Sequence, residues 1–455
     1  MFSVDLLPVY MFLALALLLF SGYPVAFVLG GVALSFGFIG WTVDYFAIVE
    51  FYNILPRMWG TSAENPVLVA VPCFVFMGTM LERSGVANDL LDCLQVLLRR
   101  VPGALALSLT VMGTIMAATT GIVGASVIMM SLIGLPMMMA RGYAKWLATG
   151  TICASAVLGI LIPPSIMLVI MADLLAVSVG NLFVSAVFPG LLLSLLYCVY
   201  IYVCCTINRD FGPPLPDDVG PETQAELWGI VAKGFLPPVF LIVMVLGSIF
   251  AGWATPTEAA GVGSFGSILL AIMNKRCTFE IMKDVLERTA LTCGMIFFIF
   301  IGATAFSYVF RSLGGDDIII HWIEASGLGS WGLLFLLMYV VFQLGFFFDW
   351  IEITLIVLPV FAPILDAMDF GAHVPKNEII YWFAILLAVN LQNSFLTPPF
   401  GFALFYMKGV APPEIKMQDI YRGIIPFVAL QVTGLGLVIA FPGIAMWAPR
   451  YFLGD

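Results

Sequence analysis

Charge is what this chain has least of: Asp, Glu, Lys and Arg make up 10% of its 455 residues, against roughly 25% in a soluble domain. Histidine is nearly missing, with two copies. The eight cysteines contain no CxxC pair, and Cys204-Cys205 lies in an apolar run, the pattern of buried reduced thiols and not of zinc or disulfides. No glycine-rich phosphate-binding loop, HExxH, Ser–His pairing or GxGD-type acid pair occurs, which argues against an ATPase, a protease or another intramembrane enzyme. No hydrophilic block is longer than Asn208 to Glu226, so any soluble catalytic or ligand-capturing module is expected on another chain. A net charge of −10 argues against nucleic acid. The first apolar run follows Asp5 with no basic n-region and reads as a retained span, not a cleaved signal.

Hydrophobic residues fill the space instead, at 62%. With about 20 residues per crossing, the chain has room for on the order of ten to twelve spans and reads as an all-α polytopic protein of the lipid bilayer. Spans are expected near 6–20, 25–40, 67–81, 182–206, 230–250, 254–273, 290–310 and 425–447, with amphipathic arms at Asp44–Thr61 and Lys275–Arg288. Two apolar stretches are too long for one crossing. The first, 102–140, is interrupted at Thr119-Thr120-Gly121 and has basic residues at both ends (Arg99, Arg100, Arg141, Lys145); the second, 330–365, is interrupted at Gly345 to Asp349 and has acidic flanks. By the positive-inside rule these are re-entrant hairpins, the first entering from the cytoplasm and the second from outside. Threaded from an outside N-terminus, the chain leaves only Arg57, Arg311, Lys376 and Arg450 of its 18 basic residues outside; both termini are expected in the periplasm.

Each hairpin is followed by a helix that proline must interrupt. Pro163-Pro164 falls inside 146–177 and Pro398-Pro399 inside 381–408. Proline removes an amide donor and clashes with the preceding turn, and bare backbone groups survive in a bilayer only where protein, a water-filled cavity or an ion satisfies them. Landmarks recur in one order across the two halves: Tyr23-Pro24 with Thr255-Pro256, Leu135-Pro136 with Leu358-Pro359, and the two proline pairs. The domain reading is therefore a first repeat at 1–207, a cytoplasmic linker at 208–226 and an inverted second repeat at 227–455, with a site at their interface.

Sodium needs several hard oxygens, which a chain break beside a hairpin tip can supply. One site is expected from Thr119, Thr120, Gly121 and Ser126 with the break around Gly159 and Pro163. A second would use Gly345 and Asp349 with Asn390, Asn393 and Thr397. The half-helices that start after each break, beyond Pro164-Ser165 and Pro398-Pro399, would turn their positive ends toward a substrate carboxylate, with Glu352 nearby. The same residues have structural readings: the hydroxyls can satisfy backbone groups in a helix bundle, and Asp349 can cap the second hairpin helix. Asp173 is a lone acid in the outer part of the first broken helix, facing either water or the substrate pathway. Glu258 completes a Thr255-Pro256-Thr257-Glu258 capping box, and His321 and His373 are expected in solvated outer loops.

Taken together, Gly22-Tyr-Pro-Val-Ala-Phe, Phe76-Met-Gly78 with Arg83-Ser-Gly85, Thr120-Gly-Ile-Val-Gly-Ala-Ser126, Ile162-Pro-Pro-Ser165, Phe188-Pro-Gly190, Thr255-Pro-Thr-Glu-Ala-Ala260 and Leu396-Thr-Pro-Pro-Phe-Gly401 resemble the large membrane subunit of the tripartite ATP-independent periplasmic (TRAP) transporters. The resemblance implies an ion-transporter-superfamily fold with elevator-type alternating access, sodium as coupling ion and no organic cofactor. It also implies a small four-helix membrane subunit, a periplasmic substrate-binding protein, and residence in a bacterial inner membrane. The tip Phe346-Phe-Phe-Asp-Trp-Ile-Glu352 is similar to the branch associated with 2-oxo acids and related carboxylates. The rival expectation is a stand-alone sodium/carboxylate or anion transporter of the same superfamily.

Overall fold

A computed structural model of the chain describes residues 4–120, 123–214, 223–365, 368–398 and 401–452, with the backbone alone at 117–120, 323–324, 326 and 362–363. All regular structure among these residues is helical. The first ten α-helices are α1 (Leu7–Leu19), α2 (Val25–Thr42), α3 (Ile48–Ser62), α4 (Ala70–Arg83), α5 (Val86–Leu98), α6 (Ala104–Thr120), α7 (Val123–Ala140), α8 (Lys145–Val157), α9 (Ile166–Leu174) and α10 (Val179–Ile207). There follow α11 (Gln224–Gly234), α12 (Leu236–Phe250), α13 (Pro256–Met273), α14 (Phe279–Ser312), α15 (Gly315–Ser326), α16 (Ser330–Leu344), α17 (Trp350–Leu365), α18 (Ile379–Leu391), α19 (Phe402–Val410), α20 (Met417–Ala440) and α21 (Gly443–Phe452).

Local chemistry sets many of these boundaries. The expected capping box is in place at α13: the Thr255 hydroxyl accepts the Glu258 amide and the Glu258 carboxylate accepts the Thr255 amide, with Pro256 in the first turn. Ser178, Thr223 and Thr278 cap α10, α11 and α14 with their hydroxyls, which accept the amides of Asn181, Glu226 and Ile281. Two helices depart from the sequence reading. The segment 275–288 and the span 290–310 form one 34-residue helix, α14, because nothing between Phe279 and Ser312 breaks a helix and Thr278 starts it. The last span stops at Ala440, and Phe441-Pro442-Gly443 turns the chain into a separate α21. Among the described residues, six helices are long and apolar enough to cross a membrane, and up to eight spans result when α3–α4 (bent 54°) and α11–α12 (bent 42°) each count as one. The remaining apolar length lies in shorter helices, among them α8, α16 and α17. The linker's first residues dock on the base of the first hairpin, where Gly103 N–H donates to Gly212 and Ala144 N–H to Phe211; residues 215–222 lie outside the described residues.

The packing has two levels. Outer pairs run between the halves of the chain: α2 on α14, and α4 on α13. At the centre stand α8 and α18, in which every residue from Leu147 to Val157 and from Trp382 to Leu391 is buried. A helix apolar all round belongs inside a protein or a membrane, and these two are inside the protein. Around them the contacts are exchanged between halves: α7 lies on α8 and on α19, while α17 lies on α18 and on α9. Glycine permits the tightest approach. A Cβ on Gly150 of α8 would collide with the Gly423 carbonyl of α20, and one on Gly423 with the Trp146 carbonyl, both backbone atoms that cannot step aside.

Gly150→Ala is accordingly expected to destabilise the purified chain by about 1–3 kcal/mol, the usual cost of overpacking, and Gly261→Ala, with open space around it, to leave stability unchanged. Thermal unfolding in detergent, followed by thiol-reactive dye, checks the pair.

Candidate functional site

The first break is built from the end of α8. The helix tightens into a 3-10 turn, Leu158–Ile160, and the chain then runs through Leu161 and Ile162 to Pro163-Pro164, joined by a cis bond. Gly159, Pro163, Pro164 and Ser165 are all buried. Ser165 caps α9 by accepting the Leu168 amide at 3.4 Å, and its hydroxyl donates to the Ile160 carbonyl. The Leu158 carbonyl takes the amides of Leu161 and Ile162, each at 3.1 Å.

The second break repeats this construction. A 13-residue α8 is matched by a 13-residue α18, the 3-10 turn by Gln392–Phe395, and the 9-residue α9 by a 9-residue α19. Its polar content is higher. The Asn393 carbonyl accepts from Leu396 N–H, Thr397 N–H and the Thr397 hydroxyl at 3.0, 3.0 and 2.8 Å. The Asn393 amide nitrogen donates to the Asn390 carbonyl at 3.2 Å, while its side-chain oxygen, in a residue only 1% exposed, has no partner among the described residues. The neighbouring Gln392 is fully buried with both amide atoms unpartnered. Such groups cost about 1–3 kcal/mol each when unsatisfied, so a run of them marks a place for something polar.

Of the other expected ligands, the structure gathers some and sets others apart. Gly345 ends α16 directly against the second break: a Cβ there would collide with the Ser394 hydroxyl and stand 3.1 Å from its Cα. Asn390 spends its amide on the Met338 carbonyl at 2.7 Å, tying α18 to α16. Asp349 and Glu352 take up capping geometry at the start of α17: the Asp349 carboxylate accepts the Trp350 amide at 2.7 Å and the Glu352 carboxylate accepts the Asp349 amide at 3.2 Å. Ser126 is buried on α7, whose first turn meets the Tyr406 ring of α19 at Gly124. Thr397 is buried and Pro398 exposed. The side chains of Thr119 and Thr120, together with Gly121 and Pro399, lie outside the described residues.

One feature escaped the sequence. A cavity of about 500 Å³ lies between α3 and α14 on one side and α9, α17 and α18 on the other, with Arg57, Thr61, Asp173, Thr304, Tyr308 and Arg311 on its wall. The Arg57 guanidinium stacks 4.7 Å from the Tyr308 ring centroid. Arg311 is paired with Asp316 at 3.6 Å and donates to the Pro359 carbonyl of α17. Asp173 accepts from the Asn65 amide at 2.6 Å. The available signal was that Arg57 and Arg311 are two of the four outer basic residues and Asp173 an unexplained acid, but no spacing connects them. His373 also differs from expectation: it is packed on Trp331 and Trp382 and bonded to the Ile439 carbonyl at 2.8 Å.

Buried broken helices carrying unsatisfied polar groups, inside a helical membrane chain, are the architecture of a membrane transport protein. The family can be named as well. The pattern of the tripartite ATP-independent periplasmic transporter, DctM component, matches residues 12–444, and the chain belongs to that family. It is 31% identical over 412 residues to the C4-dicarboxylate TRAP transporter large permease protein DctM of Pseudomonas aeruginosa, covering 90% of this chain and 92% of that one. It is 27% identical to the isethionate TRAP transporter permease protein DctMQ of Oleidesulfovibrio alaskensis, covering 99% of this chain and 67% of that one. The crystal structure of the Alcanivorax borkumensis YdaH transporter shares the fold, with a TM-score of 0.61 at 12% identity over 87% of this chain and 89% of that one.

If Glu352 acts as a cap, Glu352→Gln keeps an acceptor for the Asp349 amide and leaves thermal stability within about 0.5 kcal/mol, whereas Glu352→Ala lowers it by about 1 kcal/mol. Full stability with abolished transport in both variants would instead make Glu352 a ligand.

Proposed function

We propose that this chain is the large permease subunit of a TRAP transporter that moves a small organic anion, a carboxylate of the 2-oxo acid kind or a close relative, inward on the sodium gradient. The observation that carries the reading is the second break, where the Asn393 side-chain oxygen and the Gln392 amide stand buried and without a partner among the described residues, beside Gly345 and Ser394. A hard cation takes such oxygens together with backbone carbonyls, and the first break, with Ser126, Gly159 and Pro163, would be its counterpart. Thr119, Thr120, Gly121, Asp349, Asn390 and Thr397 complete the proposed ion shells. Ser165, Pro164, Pro398, Pro399 and Glu352 would face the substrate. Each uncompensated positive charge moving inward gains about 2.3 kcal/mol per 100 mV, so two or more sodium ions per monoanion concentrate substrate without ATP.

The ordered recurrence of helices supports an inverted repeat with elevator-type movement. The α8-to-α9 unit reappears as α18-to-α19, and each hairpin packs on a half-helix from the opposite repeat. Charge supports the orientation. Arg83 and Arg288 meet Asp284 at one end of α14 and Lys233 meets Asp89 close by, whereas Arg311 meets Asp316 at the other end. The first end is cytoplasmic in this reading, the termini are periplasmic, and the membrane is a bacterial inner membrane. A periplasmic binding protein would deliver the substrate. A small four-helix subunit would stand beside the scaffold, in keeping with the DctMQ name of the longer relative, of which this chain covers 67%.

Uptake into proteoliposomes tests this directly: with the binding protein and small subunit present, an inward sodium gradient should drive accumulation and a potassium gradient should not. Accumulation by this chain alone would favour the stand-alone transporter. Ser126→Ala and Asn393→Ala should each raise the sodium concentration for half-maximal uptake; unchanged sodium dependence in both would remove the ion assignment.

A further inference from the structure

The cavity between α3, α14 and the broken-helix units carries an inference of its own, which rests on the transport reading for its purpose but not for its chemistry. Of its two guanidinium groups, Arg311 is already engaged by Asp316 and the Pro359 carbonyl. Arg57 is different: its guanidinium carbon lies over the Tyr308 ring, 4.7 Å from the centroid, and among the described residues no acceptor meets its N–H groups. An aromatic platform fixes the plane of a guanidinium, and the free edge is the part that matches a carboxylate with two parallel hydrogen bonds. One turn away on the same wall the Thr61 and Thr304 hydroxyls meet at 3.2 Å while bonding to the Arg57 and Phe300 carbonyls, and Phe300, Leu174, Leu355 and Ile380 supply apolar wall.

We infer that this cavity is a reception site for a compact monocarboxylate bearing a neighbouring polar group, with Arg57 as the residue that recognises the carboxylate. A second carboxylate finds no free cation there: it would have to displace Asp316 from Arg311 or face Asp173, the one acid on the wall among the described residues. The apolar wall fits the body of a monoacid better than a second carboxylate. The position suits hand-over. Arg57 and Thr61 belong to α3 and Thr304 to α14, whereas Leu355 belongs to α17, whose first turn begins next to Asp349 in the hairpin tip. The anion is first held by helices of the scaffold and then passes along α17 toward the breaks. Cations lining a partly enclosed cleft also raise the local concentration of anions and their rate of arrival.

Arginine-selective labelling with phenylglyoxal tests the site on the full chain in lipid nanodiscs, with adducts located by mass spectrometry and 2-oxobutanoate and succinate as probes. Arg57 should react, and 2-oxobutanoate should slow its labelling about fivefold or more while succinate leaves it within about twofold, as expected for one bidentate pair. No protection by either acid overturns the site; equal protection by succinate overturns the monocarboxylate class. Labelling needs neither sodium nor partner proteins, so a failure of sodium coupling in proteoliposomes leaves this result standing, and the reverse also holds. In uptake assays Arg57→Lys, which keeps the charge and loses the fork, should raise the half-saturating substrate concentration about tenfold with the maximal rate retained. A lowered maximal rate at unchanged half-saturation would assign Arg57 to movement of the scaffold and not to recognition.

Discussion

Everything central in this protein follows from the cost of exposing an unpaired peptide group to hydrocarbon. Two helices are interrupted by proline pairs, and both interruptions must be shielded from lipid on every side. The surroundings are what that demands: α8 from Leu147 to Val157 and α18 from Trp382 to Leu391 are buried residue by residue, and each break is closed by a 3-10 turn that returns carbonyls to nearby amides. Serine or threonine hydroxyls take up part of the remainder, as Ser165 does for Ile160 and Thr397 for Asn393. Among the described residues, Gln392 and Asn393 at the second break keep buried amide atoms without a partner, as Gln431 on α20 does.

Shielding also dictates the tertiary exchange. Each break is covered by helices of its own half, the first by α6 and α7 and the second by α16 and α20. The half-helices α9 and α19, only 9 residues long, also lean on the other half. The first half covers α19 with α7, and the second covers α9 with α17. Close backbone contact where α8 meets α20 is possible only because Gly150 and Gly423 both lack a side chain. The outer helices pair as α2 on α14 and α4 on α13 and meet the centre through α4 on α6 and α14 on α17, with the Arg57–Arg311 cavity where α3 and α14 face α9, α17 and α18.

The parts legible in the sequence were those written in consecutive residues. Proline pairs announce the breaks, Thr255 to Glu258 announces the cap of α13, and apolar runs with charged ends locate the hairpin helices α6, α7, α16 and α17. Local rules misjudged α14, because a charged first third looks like an interface arm although no residue there interrupts the helix. They gave no sign of α5 or α21 as separate helices, nor of Asn390 bracing Met338. The cavity was out of reach for a different reason: Arg57 and Tyr308, or Asn65 and Asp173, are neighbours only through the fold. His373 was misplaced on the same account, since its partners Trp331, Trp382 and Ile439 come from three separate elements.

The central claim is that the broken helices hold coupling cations, and binding can be read without transport. A ligand that occupies only the folded state stabilises it by about 2.7 kcal/mol at a concentration one hundred times its dissociation constant. Thermal unfolding of the purified chain should therefore move to higher temperature as sodium chloride replaces choline chloride at constant ionic strength, and potassium chloride should not reproduce the shift. Equal unfolding temperatures in all three salts would contradict the account.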